Sequence, residues 1–162
     1  MKIGLIGSGG REIAMAKALM RQPARDLLMV WASHANPALA GLAREVYIGG
    51  GADAEGMAAY FHQAGADLVV VGPEAPLMSG VVDRLRSLGI PAVGPTRSQA
   101  RLEGSKAFMR DLLQRRVPGA SPEWQVLTDP AAAETFLLRV GQAAIKPIGL
   151  TGGKGVKVMG VH

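Results

Sequence analysis

Short apolar runs alternate with amphipathic segments over the first half of the chain. The runs lie at residues 2–7, 27–31, 45–48, 67–72 and 91–93. The clearest of them, DLVVVG at residues 67–72, is apolar on successive positions, as in a strand covered on both faces of a parallel sheet. The pattern therefore predicts five short strands.

The segments between these runs carry helical periodicity. After the first strand, Ile13, Ala16 and Met20 recur on one face of a predicted helix. A loop with a short helix is predicted over residues 36–43, and further helices over 53–63 and 76–88. Strands that alternate with helices of this length predict an α/β fold built on a doubly wound, Rossmann-like parallel sheet.

The pattern changes after residue 95. Residues 96–115 predict a basic helical connector, followed by strands at 124–127, 143–146 and 156–159 and a helix over 129–139. We therefore expect an N-terminal sheet domain over residues 1–95, a connector over 96–116, and the beginning of an α+β domain over 117–162.

Composition narrows the chemistry further. The absence of cysteine excludes disulfides, thiolate zinc sites and cysteine nucleophiles. No apolar run is long enough for a signal peptide or a membrane span, so we expect a cytoplasmic protein without membrane contact. The net charge is +5, but the basic residues are scattered and aromatics reach only 4%, which argues against nucleic-acid binding.

Residues 7–12, GSGGRE, form a glycine turn where a dinucleotide fold binds phosphate. Glu12 replaces the third glycine of that fingerprint, and no carboxylate ends the second strand, so NAD binding fails both tests. The amides of such a turn still suit an anion, to which Arg11 can add a charged hydrogen bond. A tight turn without a ligand is the alternative.

Residues 72–77, GPEAPL, follow the fourth strand at the ligand-binding edge of a parallel sheet. Glu74 lies between Pro73 and Pro76 on a stiffened loop, where its carboxylate can accept hydrogen bonds from an amine or from ribose hydroxyls. The alternative is a proline-rich turn whose glutamate faces solvent.

Residues 149–155, GLTGGKG, predict a glycine flap between two antiparallel strands. The segment is one residue shorter than a P-loop, and Gly155 follows Lys154 where a P-loop has serine or threonine. Main-chain amides of the flap can still fold over a triphosphate, while Lys146 and Lys154 neutralise its charge. A loose hairpin with two solvated lysines is the alternative.

Other polar residues predict no catalytic group and no metal site. Ser8 and Ser105 lack a partnered histidine, so they are interpreted as turn and cap residues. His34, His62 and His162 lie too far apart for ligand-like spacing.

Taken in order, these segments resemble the phosphoribosylamine–glycine ligases, a family of the ATP-grasp superfamily in purine biosynthesis. The matching stretches are GSGGRE, the Asn36–Pro37 pair, DLVVVGPEAPL (67–77), LEGSKAFM (102–109) and KPIGLTGGKGVKV (146–158). One motif alone is weak, but five in register over nearly the whole chain are specific.

The resemblance implies that ATP activates the carboxylate of glycine as an acyl phosphate, which the amine of phosphoribosylamine attacks to give glycinamide ribonucleotide, ADP and phosphate. Phosphoribosylamine is then expected near Gly9, Gly10, Arg11, Glu12, Gly72, Pro73 and Glu74. ATP is expected at Lys106, Lys146, Gly149, Thr151, Gly152, Gly153, Lys154 and Gly155.

Two departures from the family pattern matter. Ile13 stands where the family usually has histidine, and no Asp or Glu follows Glu134. Ligands for Mg²⁺ or Mn²⁺ are therefore expected outside this chain, which we interpret as an N-terminal part, inactive alone. The alternatives are a stand-alone, non-catalytic module that binds nucleotides or phosphoribosyl groups, and a sibling ATP-grasp ligase or carboxylase.

Overall fold

A computed structural model describes residues 1–21, 27–149, 151 and 154–159 of the chain. The chain divides into two compact units, an N-terminal unit, Met1–Ala100, and a C-terminal unit, Arg101–His162.

The N-terminal unit is built on a five-stranded sheet with the strand order β3-β2-β1-β4-β5. Its strands are β1 (Lys2–Ile6), β2 (Leu27–Ala32), β3 (Glu45–Ile48), β4 (Leu68–Val71) and β5 (Ala92–Val93). Every neighbouring pair is parallel, which confirms the predicted doubly wound α/β fold. The chain winds outward from β1 in one direction and from β4 in the other, so a topological switch point lies between these two strands.

Six helices are described between Gly10 and Gly104. They are α1 (Gly10–Leu19), α2 (Pro37–Ala40), α3 (Ala54–Gln63), α4 (Glu74–Ser79), α5 (Val81–Ser87) and α6 (Arg97–Gly104). The single helix predicted over residues 76–88 is wrong, because Gly80 adopts a left-handed φ of 93° and separates α4 from α5. The caps behave as their sequences predict: Asn36 and Asp53 accept first-turn amides of α2 and α3.

Two buried clusters cover the two faces of the sheet. One packs β-strand residues such as Trp31 and Val69 against Met57 and Phe61 of α3 and Leu85 of α5. The other is formed by Ile3, Leu5, Leu28, Val30, Ala16 and Leu39. Burial on both faces explains why the strands read as continuous apolar runs rather than alternating ones.

Gly4 shows how tightly the central strand is packed. A β-carbon at this position would lie 2.5 Å from Cε1 and 2.7 Å from Cδ1 of Phe61, whose side chain is fully buried. Neither the ring nor the strand can move away without disturbing the core. Glycine is therefore required here for close approach.

The C-terminal unit contains α7 (Lys106–Arg116), α8 (Pro130–Val140) and an antiparallel pair, β6 (Ala144–Ile145) and β7 (Lys157–Val158). This pair confirms the predicted antiparallel strands on either side of the flap. The segment predicted as a helical connector forms two helices, α6 and α7, and Ser105 caps α7 as predicted by accepting the Phe108 amide at 3.3 Å. The strand predicted at 124–127 is also wrong, because that segment has no ladder partner among the described residues.

None of the helices in the described ranges is long and apolar enough to cross a membrane.

We predict that Gly4→Ala lowers the free energy of unfolding by about 1–3 kcal/mol, the usual cost of overpacking a core. Unfolding by denaturant, followed by the circular dichroism of the N-terminal unit's sheet, measures the change in the free energy of unfolding. Gly41→Ala is the matched control, since its backbone φ of −73° suits alanine and its β-carbon would lie 3.6 Å from the nearest atom. Equal stability of Gly4→Ala and the wild type would contradict the packing described above.

Candidate functional site

The glycine turn between β1 and α1 encloses the side chain of Glu12. This residue is only 3% exposed. A β-carbon on either Gly7 or Gly72 would overlap its side chain, and one on Gly9 would come within 3.0 Å of Oε2. The glycines of two separate sequence motifs therefore make room for one buried carboxylate.

The Glu12 carboxylate also uses donors that the sequence pattern offered to an external anion. Its Oε2 accepts the backbone amide of Gly9 at 2.7 Å, and its Oε1 lies 3.3 Å from Nε of Arg11. Negative charge at a helix N-terminus is favourable, so α1 is already capped electrostatically. A ligand that enters this turn meets a carboxylate, which accepts hydrogen bonds from hydroxyl and amino groups.

Arg11 joins the loop after β1 to the loop after β4. Its Nη1 and Nη2 both donate to Oε1 of Glu74, each at 3.2 Å. A hydrogen bond from its own backbone amide, and then the Arg11 guanidinium, hold the pKa of Glu74 below its ordinary value, against partial burial. The hydrogen bond with Glu74 likewise raises the pKa of Arg11. Both groups are therefore charged at neutral pH.

A cavity of about 240 Å³ opens beside the glycine turn. Trp31, Met57 and Pro76 contribute apolar surface, while Glu12 and Ser33 contribute polar groups. A mostly apolar wall with a few polar groups is the usual composition of a small-molecule site. The cavity lies at the carboxyl edge of the sheet, where ligands of open α/β folds bind.

Three polar side chains form a Ser–His cluster at the ends of β1 and β2: Ser8, Ser33 and His34. Oγ of Ser8 lies 3.0 Å from Oγ of Ser33 and 3.1 Å from Nδ1 of His34, and Ser33 lies 3.2 Å from the same nitrogen. Asn36 supports the cluster by donating from Nδ2 to the Ser8 carbonyl at 2.8 Å.

Ser8 lies in the turn between β1 and α1 as predicted, but the prediction that it lacks a histidine partner is wrong. Parallel pairing aligns Ile6 with Trp31, so the residues that follow β1 and β2 meet at one edge. The sequence offered one signal for this contact, namely that Ser8 and His34 each follow one of two strands predicted to be adjacent. Spacing along the chain concealed it, since Ser8 and His34 are 26 positions apart.

The structure brings together the residues of the N-terminal unit that were predicted to bind substrate. Arg11 contacts Glu74, while Glu12 contacts Gly9 and packs against Gly72. Gly10 begins α1 at the same turn, and Pro73 would lie 2.9 Å from a β-carbon on Gly7. These contacts make one continuous surface of two motifs about sixty residues apart in the chain.

In the C-terminal unit, Lys106 reaches the start of the glycine flap. Its Nζ donates to the carbonyl of Gly149 at 2.6 Å. Gly149 and Gly155 adopt left-handed φ values of 89° and 74°, which favour glycine. Within the flap, the Lys154 amide donates to the Thr151 carbonyl at 3.1 Å.

The remaining predicted ATP-binding residues are less closely gathered. The side chains of Lys146 and Lys154 are exposed. Gly152 and Gly153 lie outside the described residues. Across the ranges that the structure describes, no group of three or more His, Asp or Glu side chains is placed to hold a metal ion.

Solved structures of similar fold include a carboxylase domain and a ribonucleotide synthetase. The biotin carboxylase domain of the Hydrogenobacter thermophilus 2-oxoglutarate carboxylase, in complex with MgADP, ADP and bicarbonate, aligns with 97% of this chain and 37% of its own at a TM-score of 0.73 and 19% identity. N5-carboxyaminoimidazole ribonucleotide synthetase from Thermotoga maritima aligns with 98% of this chain and 40% of its own, with a TM-score of 0.63 and 20% identity. At these identities the likeness shows the fold alone.

Closer sequence relatives are archaeal phosphoribosylamine–glycine ligases. Those of Methanopyrus kandleri and Thermococcus gammatolerans are each 44% identical to this chain over 99% of its length. The ligase of Methanoregula boonei is 42% identical over the same share. The chain spans 36–38% of the length of these relatives.

Two family profiles divide the chain between them. The phosphoribosylglycinamide synthetase N domain matches residues 1–103, and the ATP-grasp (A) domain of the same synthetase matches residues 104–161. The two matches leave almost no residue outside the family pattern. The chain therefore belongs to the phosphoribosylglycinamide synthetase family.

Proposed function

We propose that the chain is the N-terminal part of a cytoplasmic, ATP-dependent ligase that joins glycine to 5-phosphoribosylamine and yields glycinamide ribonucleotide, ADP and phosphate in purine biosynthesis. Residues 1–95 serve as its substrate domain, 96–116 as a helical connector, and 117–162 as the beginning of its ATP-grasp domain. The isolated chain is inactive on this proposal, because it corresponds to little more than a third of its relatives.

The observation that carries the proposal is the ion pair between Arg11 and Glu74. It joins two motifs of the family resemblance at the switch point of the sheet, beside the cavity. Two charged side chains that restrain each other are preorganised, so little conformational entropy is lost when a polar ligand binds. The carboxylates of Glu12 and Glu74 suit the hydroxyl and amino groups of phosphoribosylamine.

The proposed substrate site comprises Gly9, Gly10, Arg11, Glu12, Gly72, Pro73 and Glu74. In the reaction, a carboxylate oxygen of glycine takes the terminal phosphoryl group of ATP, and ADP leaves. The amine of phosphoribosylamine then attacks the acyl carbon, inorganic phosphate leaves, and the amine loses a proton. Such chemistry depends on positioning and charge neutralisation rather than on a protein nucleophile.

The C-terminal unit supplies the proposed contacts to ATP phosphates. Lys106 already holds its amine against the flap, so its charge is close to any triphosphate that the flap covers. The other proposed contacts are Lys146, Gly149, Thr151, Gly152, Gly153, Lys154 and Gly155. The ligands of the accompanying Mg²⁺ or Mn²⁺ are proposed to belong to the longer protein.

We predict that a chimera restores the ligase reaction. This chain is continued from Lys157 with the downstream sequence of the Thermococcus gammatolerans relative, and ADP release is measured with and without glycine and phosphoribosylamine. ADP release that requires both substrates is expected.

In the same chimera, Lys106→Met should lower kcat/KM at least about tenfold, because it removes a charged contact to phosphate. Lys17→Met, on the exposed surface of α1, should leave it unchanged. A folded chimera without substrate-dependent ADP release would refute the proposed reaction.

We expect ATP with Mg²⁺ to raise the melting temperature of the isolated chain by less than about 1 °C at millimolar concentration. Ligand stabilisation grows with concentration relative to the dissociation constant, and this chain holds only part of an ATP site. Thermal unfolding with and without nucleotide measures the shift. An increase of several degrees would favour the alternative, a stand-alone module that binds nucleotides without catalysis.

The ion pair predicts a pH dependence of stability. The pKa of Glu74 is lowered in the fold, so its contribution is present above the unfolded-state pKa and is lost as the pH falls through the folded-state value. At pH 7 the melting temperature of the wild type should be higher than that of Glu74→Gln, and this difference should vanish in acid.

Melting curves of both proteins between pH 7 and pH 2 check this prediction. Glu55→Gln is the control, because it disrupts the ion pair between Glu55 and Arg84. The Glu55 side chain is 74% exposed, and exposed ion pairs contribute little to stability. A difference between wild type and Glu74→Gln that does not depend on pH would show that charge at Glu74 is not what stabilises the loop.

A further inference from the structure

The proposed function makes no use of the Ser–His cluster, although two of its members line the cavity. Ser8 is only 6% exposed, whereas Ser33 and His34 are exposed. Ser8 and Ser33 both contribute to the cavity wall. The cluster is therefore buried at its base and open at the side where a ligand enters.

Counting protons shows that the cluster always retains a donor for a ligand. The two hydroxyls and a neutral imidazole carry three protons between them. If Nδ1 of His34 accepts, both hydroxyl protons are used within the cluster and Nε2–H stays free. If Nδ1 donates instead, one of the serine hydroxyls keeps an unused proton. In either tautomer a hydrogen-bond donor is left over.

The charges along this edge of the sheet decide what that donor binds. The Gly9 amide, the natural anion donor of the turn, is bonded to the Glu12 carboxylate. Arg11 is engaged by both Glu12 and Glu74. An incoming phosphate therefore meets two carboxylates beside one guanidinium at the turn, while Ser33 and His34 offer hydrogen bonds without a carboxylate partner among the described contacts.

We propose that Ser33 and His34, positioned by Ser8, bind the phosphate group of a phosphorylated sugar whose ring occupies the cavity. The sugar's hydroxyl or amino groups then lie toward the carboxylates of Glu12 and Glu74. This arrangement separates like charges within one site: the anionic end meets donors and the cationic or hydroxylated end meets acceptors. The inference rests on the proposed function only in taking a phosphoribosyl compound as the ligand.

The test is the binding of ribose 5-phosphate, ribose and inorganic phosphate to the 162-residue chain, followed by NMR. His34→Ala and Ser33→Ala are compared with His62→Ala, which removes an exposed histidine of α3 away from the cluster. The wild type should bind ribose 5-phosphate more tightly than ribose. Each cluster variant should weaken ribose 5-phosphate binding about tenfold and leave ribose binding unchanged, since a bond to an ionised phosphate is lost. His62→Ala should bind as the wild type does.

Equal affinity of the cluster variants and the wild type for ribose 5-phosphate would overturn the inference and leave the proposed function intact. Failure of the wild type to bind ribose 5-phosphate would overturn both the inference and the placing of the sugar substrate in this cavity, whereas the chimera assay still tests the reaction. If a variant does not fold, the wild-type His34 ring resonances decide the question. A shift with ribose 5-phosphate but not with ribose supports the inference, and no shift overturns it.

Discussion

Glu12 lies almost out of contact with water at the point where the central strand passes into the first helix. A carboxylate in that position is costly unless donors surround it, and here the Gly9 amide and the Arg11 guanidinium do so. Its side chain leaves no room for a β-carbon on Gly7 or Gly72, so the loops after β1 and β4 close around it. The shape of the cavity edge, the direction of Arg11 and the place of Glu74 all follow from accommodating this one group.

The periodicity of apolar residues and the positions of turn and capping residues predicted most of the N-terminal unit, because parallel strands buried on both faces form continuous apolar runs. The errors are local. Gly80 breaks a helix that looked continuous, since a glycine in the left-handed region can end a helical segment. The strand predicted at 124–127 failed because a β-prone sequence requires a neighbouring strand, which sequence pattern alone does not identify.

The candidate site was predictable only in part. Glycine-rich turns and the proline-flanked Glu74 drew attention to the edge of the sheet where the cavity lies. Their pattern did not reveal that the Glu12 carboxylate accepts the hydrogen bond of the Gly9 amide. A carboxylate at the third position of a helix is usually interpreted as a solvent-exposed capping group. Nor did spacing reveal the contact between Ser8 and His34, which depends on the pairing of β1 with β2.

On the proposed function, the bond from Lys106 to the Gly149 carbonyl has a consequence for nucleotide entry. An ammonium group that already donates to the main chain must give up that bond to bind a phosphate oxygen, so its net gain is the difference between the two bonds. The carbonyl released in the exchange must find another donor. If the flap binds a nucleotide as proposed, its rearrangement and nucleotide binding are coupled, and tight binding requires contacts from other parts of the site.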